Sequence, residues 1–367
     1  MNKNQTQMKK GRKVSNFVLN ELIGRGGFGE VWAATSLIDH KPVAIKIERH
    51  SPNDSKRKLL ADESVVLNKL SDSPCFPCFI QYWEDDDGCC FLAMELLEST
   101  VRKTTEAAFG GRLSLKQGAS LGLQMLNAVE SLHNHGFVHR DIKPGNFMYR
   151  PGNSPPDVCL IDFGLAKIWK NSEGDIIPQR YGVGFRGTSR YASVNSHDGV
   201  DLSCRDDIWS LLYLLVEMVA PPLPWHNQTN RETVAAMKRS QTARLVAGLP
   251  IQFQNMFEYL NGLSFEDVID YEFFRCKLEE IKKIGENDEE ATLNFAAIGP
   301  NRPMLVQFGN SNSGPNIILE ESSSVVAISE NDDAPLFERS FSKTPIKTPV
   351  VEKESQEPSE FRCCLLI

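Results

Sequence analysis

The segment His139–Phe147, HRDIKPGNF, places three side chains of complementary chemistry within six residues. Asp141 can accept a proton, Lys143 can supply a positive charge, and Asn146 can offer an oxygen atom to a metal ion. The later segment IDFGLA adds Asp162, whose carboxylate is a ligand type that Mg²⁺ prefers. These residues match the needs of phosphoryl transfer, which requires an acceptor for the hydroxyl proton, a cation for the developing charge, and oxygen ligands for magnesium.

A glycine-rich stretch, IGRGGFGEV, lies in the turn between two predicted strands. Backbone N–H groups in such a turn can close over phosphates, although the glycines alone are also compatible with a flexible hairpin. A dinucleotide fold would need a helix directly after the glycines, whereas Glu30–Thr35 alternates like a strand. The residues that we expect around a nucleotide here are Ile23, Gly24, Arg25, Gly26, Gly27, Phe28, Gly29, Glu30 and Val31.

A lysine lies seventeen residues beyond Gly29, at the end of the apolar strand VAIK. Lys46 can hold phosphate oxygens as a point charge, and a half-buried lysine needs a partner of opposite charge. Glu63 is the natural candidate, within the predicted helix KLLADESVVLNKL. The alternative is that Glu63 is an exposed helix carboxylate.

The surrounding sequence predicts two regions of different structure. Short strands and turns alternate from about 14 to 95, with one helix over about 54–70. From about 112 the spacing becomes helical, and 207–219 is apolar nearly all round, as in a helix buried within a larger lobe. The helix that leads into the HRD segment is predicted to bury Leu121, Met125, Val129 and Leu132.

Four motifs stand in the order and spacing of the eukaryotic protein kinases, which residues 14–284 resemble: GRGGFGEV, VAIK, HRDIKPGN and DFG. The resemblance implies an α+β, two-lobed protein kinase fold, with a small strand-rich N-lobe, a larger helical C-lobe, and ATP in the cleft. The adenine-binding positions that it implies are the gatekeeper Met94, the hinge residues Glu95 and Leu97, and the ring-enclosing Val31, Ala44 and Met148.

Two further stretches resemble the casein kinase one group: GFRGTSRYASVNSHDG and RDDIWSLLYLLVEMVAPPLPW. Within that group, their residues look closest to the tau-tubulin kinase branch. Most kinases have Ala-Pro-Glu where this chain has Ser193–Asn195, and this departure is typical of the group. Lys143, two residues after Asp141, resembles the serine/threonine pattern. In that pattern Thr188 is expected to hydrogen-bond to Asp141 and Lys143.

Three arginines, Arg180, Arg186 and Arg190, bracket the segment expected to face a peptide substrate. The guanidinium fork suits phosphate or carboxylate, so the hypothesis is a preference for acidic or already phosphorylated protein substrates. The alternative is that these arginines pair with local acids or backbone oxygens.

Hydroxyl side chains are scarce between Asp162 and Gly187, where Ser172 and Tyr181 alone carry one. Arg140 therefore has few candidate phosphate partners. We expect activity without upstream phosphorylation, as the resemblance also implies.

Charge is concentrated at one end of the 367-residue chain, whose 41% hydrophobic content allows a sizeable core. Residues 285–367 carry 14 acidic and 6 basic side chains, which accounts for the whole net charge of −8. We expect this segment, rich in Ser, Asn and Pro, to be a disordered tail and residues 1–13 to be a flexible N-terminus. No basic face is indicated, which argues against nucleic-acid binding.

The nine cysteines are expected to be reduced thiols of a cytoplasmic protein, because no apolar leader follows the basic N-terminus. CFPC followed by CC invites a zinc interpretation, but the spacing matches no standard finger. The final residues, Cys364-Leu365-Leu366-Ile367, have the form that directs prenylation, with Cys363 as the candidate for a second lipid. We therefore expect membrane association through a lipidated C-terminus, the alternative being an accidental apolar ending.

The sequence thus predicts a monomeric serine/threonine protein kinase that uses ATP and Mg²⁺. Lys46, paired with Glu63, would position the nucleotide, and Asn146 and Asp162 would hold the metal. The main alternative is a pseudokinase, a scaffold that binds nucleotide without transferring phosphate. The residues that pseudokinases usually lack are, however, all present in this chain. A lipid or small-molecule kinase is less compatible with the GTSRYAS segment, which looks like a peptide-binding one.

Overall fold

The computed structural model of the chain describes residues 8–26, 29–49, 59–152, 157–220, 222–240 and 242–285. The predictions for Gly27, Phe28, Cys363 and Cys364, and for the acidic segment beyond Gly285, lie outside these residues.

Alternating apolar residues form a six-stranded sheet in the N-terminal region, with one helix packed against it. The strands are β1 (Lys13–Val14), β2 (Phe17–Gly26), β3 (Gly29–Ser36), β4 (Pro42–Arg49), β5 (Phe79–Glu84) and β6 (Cys89–Glu95), and the helix is α1 (Leu59–Lys69). The strand order is β1-β2-β3-β4-β6-β5, and every pairing is antiparallel. The sequence predicted β2, β3, β4 and β6 but did not separate β5.

The core of this sheet is built from residues that point to one face. Phe17, Trp32, Ile45 and Phe91 are buried, and the ring of Trp83 stacks on Phe91 at 4.9 Å and on Phe17 at 5.6 Å between centroids. Such stacking adds to the area burial of the rings.

Residues upstream of the predicted domain boundary also belong to this layer. Met8 is 5% exposed, and the backbone N–H of Gly11 donates to the carbonyl oxygen of Leu19 at 2.7 Å. Residues 8–13, which the sequence analysis assigned to a flexible N-terminus, therefore contact this sheet.

Helices dominate the rest of the described chain, as the change of periodicity predicted. They are α2 (Val101–Phe109), α3 (Leu115–Asn134), α4 (Val194–His197), α5 (Cys204–Val219), α6 (Arg231–Ser240), α7 (Thr242–Leu245), α8 (Ile251–Asn261) and α9 (Tyr271–Ile284). Helix α3 begins at a capping box, in which the side chains of Ser114 and Gln117 each accept a hydrogen bond from the other residue's backbone N–H. Helix α5 is buried along nearly its whole length, as predicted.

Two short pairs of antiparallel strands in the helical region position the predicted catalytic residues. Strand β7 (Phe137–Val138) pairs with β10 (Lys167–Ile168), and β8 (Phe147–Tyr149) pairs with β9 (Val158–Leu160). The HRD segment lies between β7 and β8, and the DFG segment lies between β9 and β10. Within the described residues, no helix combines the length and the apolar character needed to span a bilayer.

Candidate active site

A cavity of about 290 Å³ opens between the sheet and the helical region, at the lower end of the size range of ligand pockets. Its lining residues come from both regions and include most of the positions expected to contact ATP. They are Ile23, Gly24, Arg25, Gly26, Gly29, Val31, Ala44, Lys46, Glu63, Pro77, Met94, Glu95, Leu96, Leu97, Asn146, Met148, Ile161 and Asp162. Three of them were missed by the sequence analysis: Pro77, Leu96 and Ile161.

In the glycine-rich stretch, Gly26 at the end of β2 lies opposite Gly29 at the start of β3. Gly29 has a φ of +117°, and a Cβ there would lie 2.0 Å from the carbonyl oxygen of Ile47 on β4. This position therefore requires glycine both for its conformation and for its space. Glu30, which was expected at the nucleotide, instead pairs with Arg25 at 2.9 Å and is not among the lining residues.

Lys46 joins the sheet to the DFG segment through two carboxylates. Its Nζ donates to Glu63 Oε2 at 2.7 Å and to Asp162 Oδ1 at 2.9 Å. Glu63 is 4% exposed, so the alternative of a solvent-exposed helix carboxylate is wrong. Burial alone would lower the pKa of Lys46, but the two carboxylates outweigh it and raise the pKa, so the ammonium stays charged.

The carboxylate of Asp141 lies at the centre of a hydrogen-bonded cluster that contains every predicted catalytic residue. Thr188 Oγ1 donates to Asp141 Oδ1 at 2.7 Å, and Lys143 Nζ lies 2.9 Å from Asp141 Oδ2. Lys143 Nζ also donates to Thr188 Oγ1 at 3.3 Å. The contacts expected of Thr188 are therefore present, and they leave Asp141 held from two sides.

The loop that carries Asp141 is held by the carboxylate of Asp207, which the sequence analysis did not single out. Asp207, on the buried helix α5, accepts from the backbone N–H groups of His139 at 2.6 Å and Arg140 at 2.8 Å. Arg140 has a φ of +71°, a strained conformation for a non-glycine residue, and these bonds help to hold it. The signal in the sequence was a pair of acids opening an otherwise apolar helix.

Two residues of the cavity fit the requirements of a magnesium ion. Asn146 donates its amide N–H to the carbonyl oxygen of Asp141 at 2.9 Å, an orientation that keeps its Oδ1 as the acceptor atom. Burial opposes ionisation of Asp162, but the charge of Lys46 outweighs it and lowers the carboxyl pKa. An ionised carboxylate and an amide oxygen are the ligand types that Mg²⁺ takes alongside phosphates and water. Among the described residues no group of three or more His, Cys, Asp or Glu side chains could hold a metal ion by itself.

The three arginines proposed to recognise substrate have different surroundings. Arg180 Nε donates to Asp201 at 2.8 Å, and Arg190 Nη2 donates to the carbonyl oxygen of His226 at 2.9 Å. Arg190 also lies 3.5 Å from Glu217, whereas Arg186 bonds through its side chain to the carbonyl oxygen of Phe185. Local pairing with acids or backbone oxygens, the alternative raised by the sequence, therefore describes all three arginines.

A buried lysine that the sequence analysis missed supports the same segment. Lys238 is 1% exposed, and its Nζ donates to the carbonyl oxygens of Ser189, at 2.8 Å, and Ala192, at 2.5 Å. The ammonium also lies 4.8 Å from the ring centre of Tyr213. A polar helix such as α6 gives no sequence signal for a buried lysine, and burial lowers the pKa of Lys238 well below its usual value.

Comparison with known proteins agrees with this geometry. A family model described as protein kinase domain matches residues 17–282. The chain is 36% identical over 260 residues to a probable serine/threonine-protein kinase of Dictyostelium discoideum, covering 70% of this chain and 52% of that protein. It is 33% identical over 270 residues to casein kinase I homolog 1 of Saccharomyces cerevisiae and 34% identical over 274 residues to casein kinase I homolog 2 of the same yeast.

These two alignments cover 71% and 72% of this chain and 49% of each yeast protein, so the chain spans about half the length of the curated relatives it matches. The residues of this chain that match the family model, 17–282, contain the cavity and the cluster around Asp141. The chain therefore belongs to the protein kinase domain family.

Proposed function

We propose that the protein is a serine/threonine protein kinase that transfers the γ-phosphoryl group of Mg-ATP to hydroxyl groups of proteins. The observation that carries the proposal is the cluster of Asp141, Lys143 and Thr188 beside a cavity lined by Lys46 and Asp162. A scaffold that only binds nucleotide would have no need of a hydrogen-bonded proton acceptor, because binding alone makes no use of it.

Each residue has a part in this reaction. Asp141 Oδ2 orients the acceptor hydroxyl and takes its proton, while Lys143 stabilises the charge on the transferred group. Thr188 holds Oδ1 of the same carboxylate, so that the rotamer of Asp141 is set before substrate arrives. Lys46 directs its ammonium to the nucleotide phosphates, because Glu63 fixes it from behind.

The nucleotide phosphates would have part of their charge neutralised by a magnesium ion bound here. Asn146 and Asp162 are the residues that would hold it. Lys46 keeps Asp162 ionised and so ready to act as a ligand. The adenine ring would be enclosed by Val31, Ala44 and Met148, with the hinge at Glu95 and Leu97 and the gatekeeper at Met94, all of which line the cavity.

The proposed substrates are acidic or already phosphorylated proteins, as in the hypothesis drawn from the sequence. Arg186 supports it best, because its guanidinium has a backbone oxygen rather than a carboxylate as its partner. Arg190 faces Glu217 at 3.5 Å, a loose pair that a substrate phosphate could displace. Arg180 lends no support, since Asp201 occupies its fork. The residue sequences GFRGT and DDIWSLLYLLVE support placing this kinase in the tau-tubulin branch of the casein kinase one group.

Activity without upstream phosphorylation is also proposed, and a buried carboxylate supports it. Asp201 is 4% exposed and accepts from Lys167 Nζ at 2.7 Å as well as from Arg180. Burial lowers the pKa of Lys167, and the nearby charges of Arg140 and Arg180 act in the same direction, while Asp201 opposes them. A carboxylate from the chain itself thus holds the position in which a phosphate could otherwise pair with arginine.

Transfer of labelled phosphate from Mg-ATP to casein, to a neutral Ser/Thr peptide and to phosphoinositide vesicles tests the proposal. We expect label on serine or threonine of casein, weaker label on the peptide, and none on lipid. Equal rates for casein and the neutral peptide would contradict the acidic preference. Nucleotide binding without label on any acceptor would instead support the scaffold alternative.

A further inference from the structure

Arg150 directly follows β8, and its guanidinium connects two segments that are distant in the sequence. Nε and Nη2 donate to the two carboxylate oxygens of Glu95 at 2.8 and 3.0 Å. Nη1 donates to the carbonyl oxygen of Pro74 at 2.6 Å, and Nη2 donates to that of Phe76 at 2.8 Å. The Arg150 side chain is 16% exposed, and its bond to Pro74 lies at the surface while its bonds to Glu95 and Phe76 are partly buried.

Both segments reach the adenine end of the cavity. Pro77 lines the cavity and follows Phe76, while Glu95 lines it from the end of β6. The two segments also bond to each other, because the N–H of Glu95 donates to the carbonyl oxygen of Cys78 at 2.9 Å and the N–H of Cys78 donates to Glu95 Oε2 at 3.1 Å. Glu95 is ionised in this setting, since the bonds from Arg150 and Cys78 outweigh burial and lower its pKa.

The loop 74–78 also contacts the segment that carries Asp162. Leu160 lies two residues before Asp162, and its N–H donates to the carbonyl oxygen of Cys75 at 2.9 Å. The buried ring of Phe76 meets Phe163 edge to face, with 5.7 Å between ring centres. A shift of this loop would therefore reach both the hinge and the carboxylate proposed to hold magnesium.

We propose that Arg150 is a positioning residue for nucleotide: its guanidinium holds the hinge at Glu95 and the loop 74–78 in the register that fits the adenine ring. The inference rests on the proposed function, because it assigns ATP to the cavity. Only a planar fork can reach one carboxylate and two carbonyl oxygens together, so a lysine would keep the charge but lose part of the connection.

Calorimetric titration with Mg-ADP, well below the unfolding temperature, tests this role in wild type, Arg150→Met and Arg150→Lys. We expect the Kd to rise about tenfold in Arg150→Met and less in Arg150→Lys. In steady-state assays the KM for ATP should rise, while kcat at saturating ATP and the KM for casein should change less than twofold. Arg275→Met is the matched control, because Arg275 on α9 pairs with Glu130 of α3 and Glu272 of α9, and these residues do not line the cavity.

Hydrogen exchange of the nucleotide-free protein provides a readout that does not depend on activity. The amides of 74–80 and 95–98 should exchange faster in Arg150→Met and stay unchanged in Arg275→Met. A folded Arg150→Met that binds Mg-ADP within twofold of the wild type, with unchanged exchange at the hinge, would overturn the inference. If Arg150→Met does not fold, Glu95→Gln is measured against the same threshold. A wild type that binds no nucleotide would contradict the proposed function itself.

Discussion

Asp201 and Arg180 form a two-point ion pair in which Arg180 Nε donates to Oδ2 at 2.8 Å and Nη2 donates to Oδ1 at 3.3 Å. Asp201 follows residues 181–200, which include the stretch proposed to face the substrate, whereas Arg180 precedes them. The pair, together with the bond from Lys167, therefore closes the two ends of this segment onto each other.

Replacing Asp201 should disorder this segment. Asp201→Asn leaves Lys167 and Arg180 without their shared carboxylate, and we expect kcat toward casein to fall about tenfold, since a broken buried pair typically costs about 3–5 kcal/mol of local stability. Limited proteolysis after Arg180 should become faster. Asp198→Asn is the control, because Asp198 pairs with Arg239 at the surface and should change neither property. Unchanged kcat and proteolysis in Asp201→Asn would count against the activation account.

Thr188 should matter through its hydroxyl group rather than its shape. Thr188→Val keeps the branched side chain but removes the donor to Asp141 and the acceptor for Lys143. We expect kcat to fall by about 10- to 100-fold, as when one preorganised hydrogen bond is lost from an active site. Thr188→Ser, which keeps the hydroxyl, should retain most of the activity. Steady-state kinetics at saturating ATP makes the comparison, and equal rates for Val and Ser would show that the hydroxyl has no such role.

The two glycines at the hairpin tip should respond differently to alanine. Gly29→Ala would force a Cβ into the carbonyl oxygen of Ile47 at a positive φ. We therefore expect the free energy of unfolding to fall by about 1–3 kcal/mol and the Kd for Mg-ADP to rise. Gly26→Ala meets no atom within 4 Å and should be nearly neutral. Thermal unfolding with and without Mg-ADP measures both effects. Equal melting temperatures for the two variants would contradict the packing argument.

A buried imidazolium should make the stability of the C-lobe depend on pH. Burial would lower the pKa of His133, but Cys204 and Asp207 outweigh it and raise the pKa to about 10. The raised pKa stabilises the fold fully below the unfolded value of about 6.5, and this contribution is lost as the pH rises through about 10. We expect His133→Gln to cost about 1–3 kcal/mol at pH 6 and progressively less toward pH 10.

Urea unfolding of the wild type and His133→Gln at several pH values measures this difference. Tyr271→Phe is the control, because it removes the hydrogen bond at His133 Nδ1, 2.5 Å away, without removing the charge. Its cost should vary less with pH. A cost of His133→Gln that is the same at pH 6 and pH 9.5 would mean that the buried imidazole is neutral.

Local sequence was sufficient to predict the parts of the site that lie within single motifs. Asp141, Lys143 and Asn146 lie within one loop, and Lys46 lies within β4, whose apolar residues were evident although the strand continues past the predicted end at Lys46. Strand β5 was not separated, because its residues are mostly half-buried on both faces and lack the alternation that marks an amphipathic strand.

Contacts between distant segments could not be predicted from local pattern. Arg150 meets Glu95 across 55 residues, and Lys238 reaches the carbonyl oxygen of Ser189 across 49. In α6 the polar sequence around Lys238 predicts a solvated side chain, yet the side chain is buried and donates to the carbonyl oxygens of Ser189 and Ala192. Such pairs depend on how the elements pack, which periodicity does not specify.

The most direct test of the central claim compares nucleotide binding and phosphoryl transfer in wild type and Asp141→Asn. The substitution keeps the size of the side chain and should leave the Kd for Mg-ADP within about twofold, while transfer to casein falls by at least about 10²-fold, the lower end of what a general base contributes. That result would establish Asp141 as the proton acceptor of an active kinase. Equal transfer by both proteins, or nucleotide binding with no transfer by the wild type, would contradict the account.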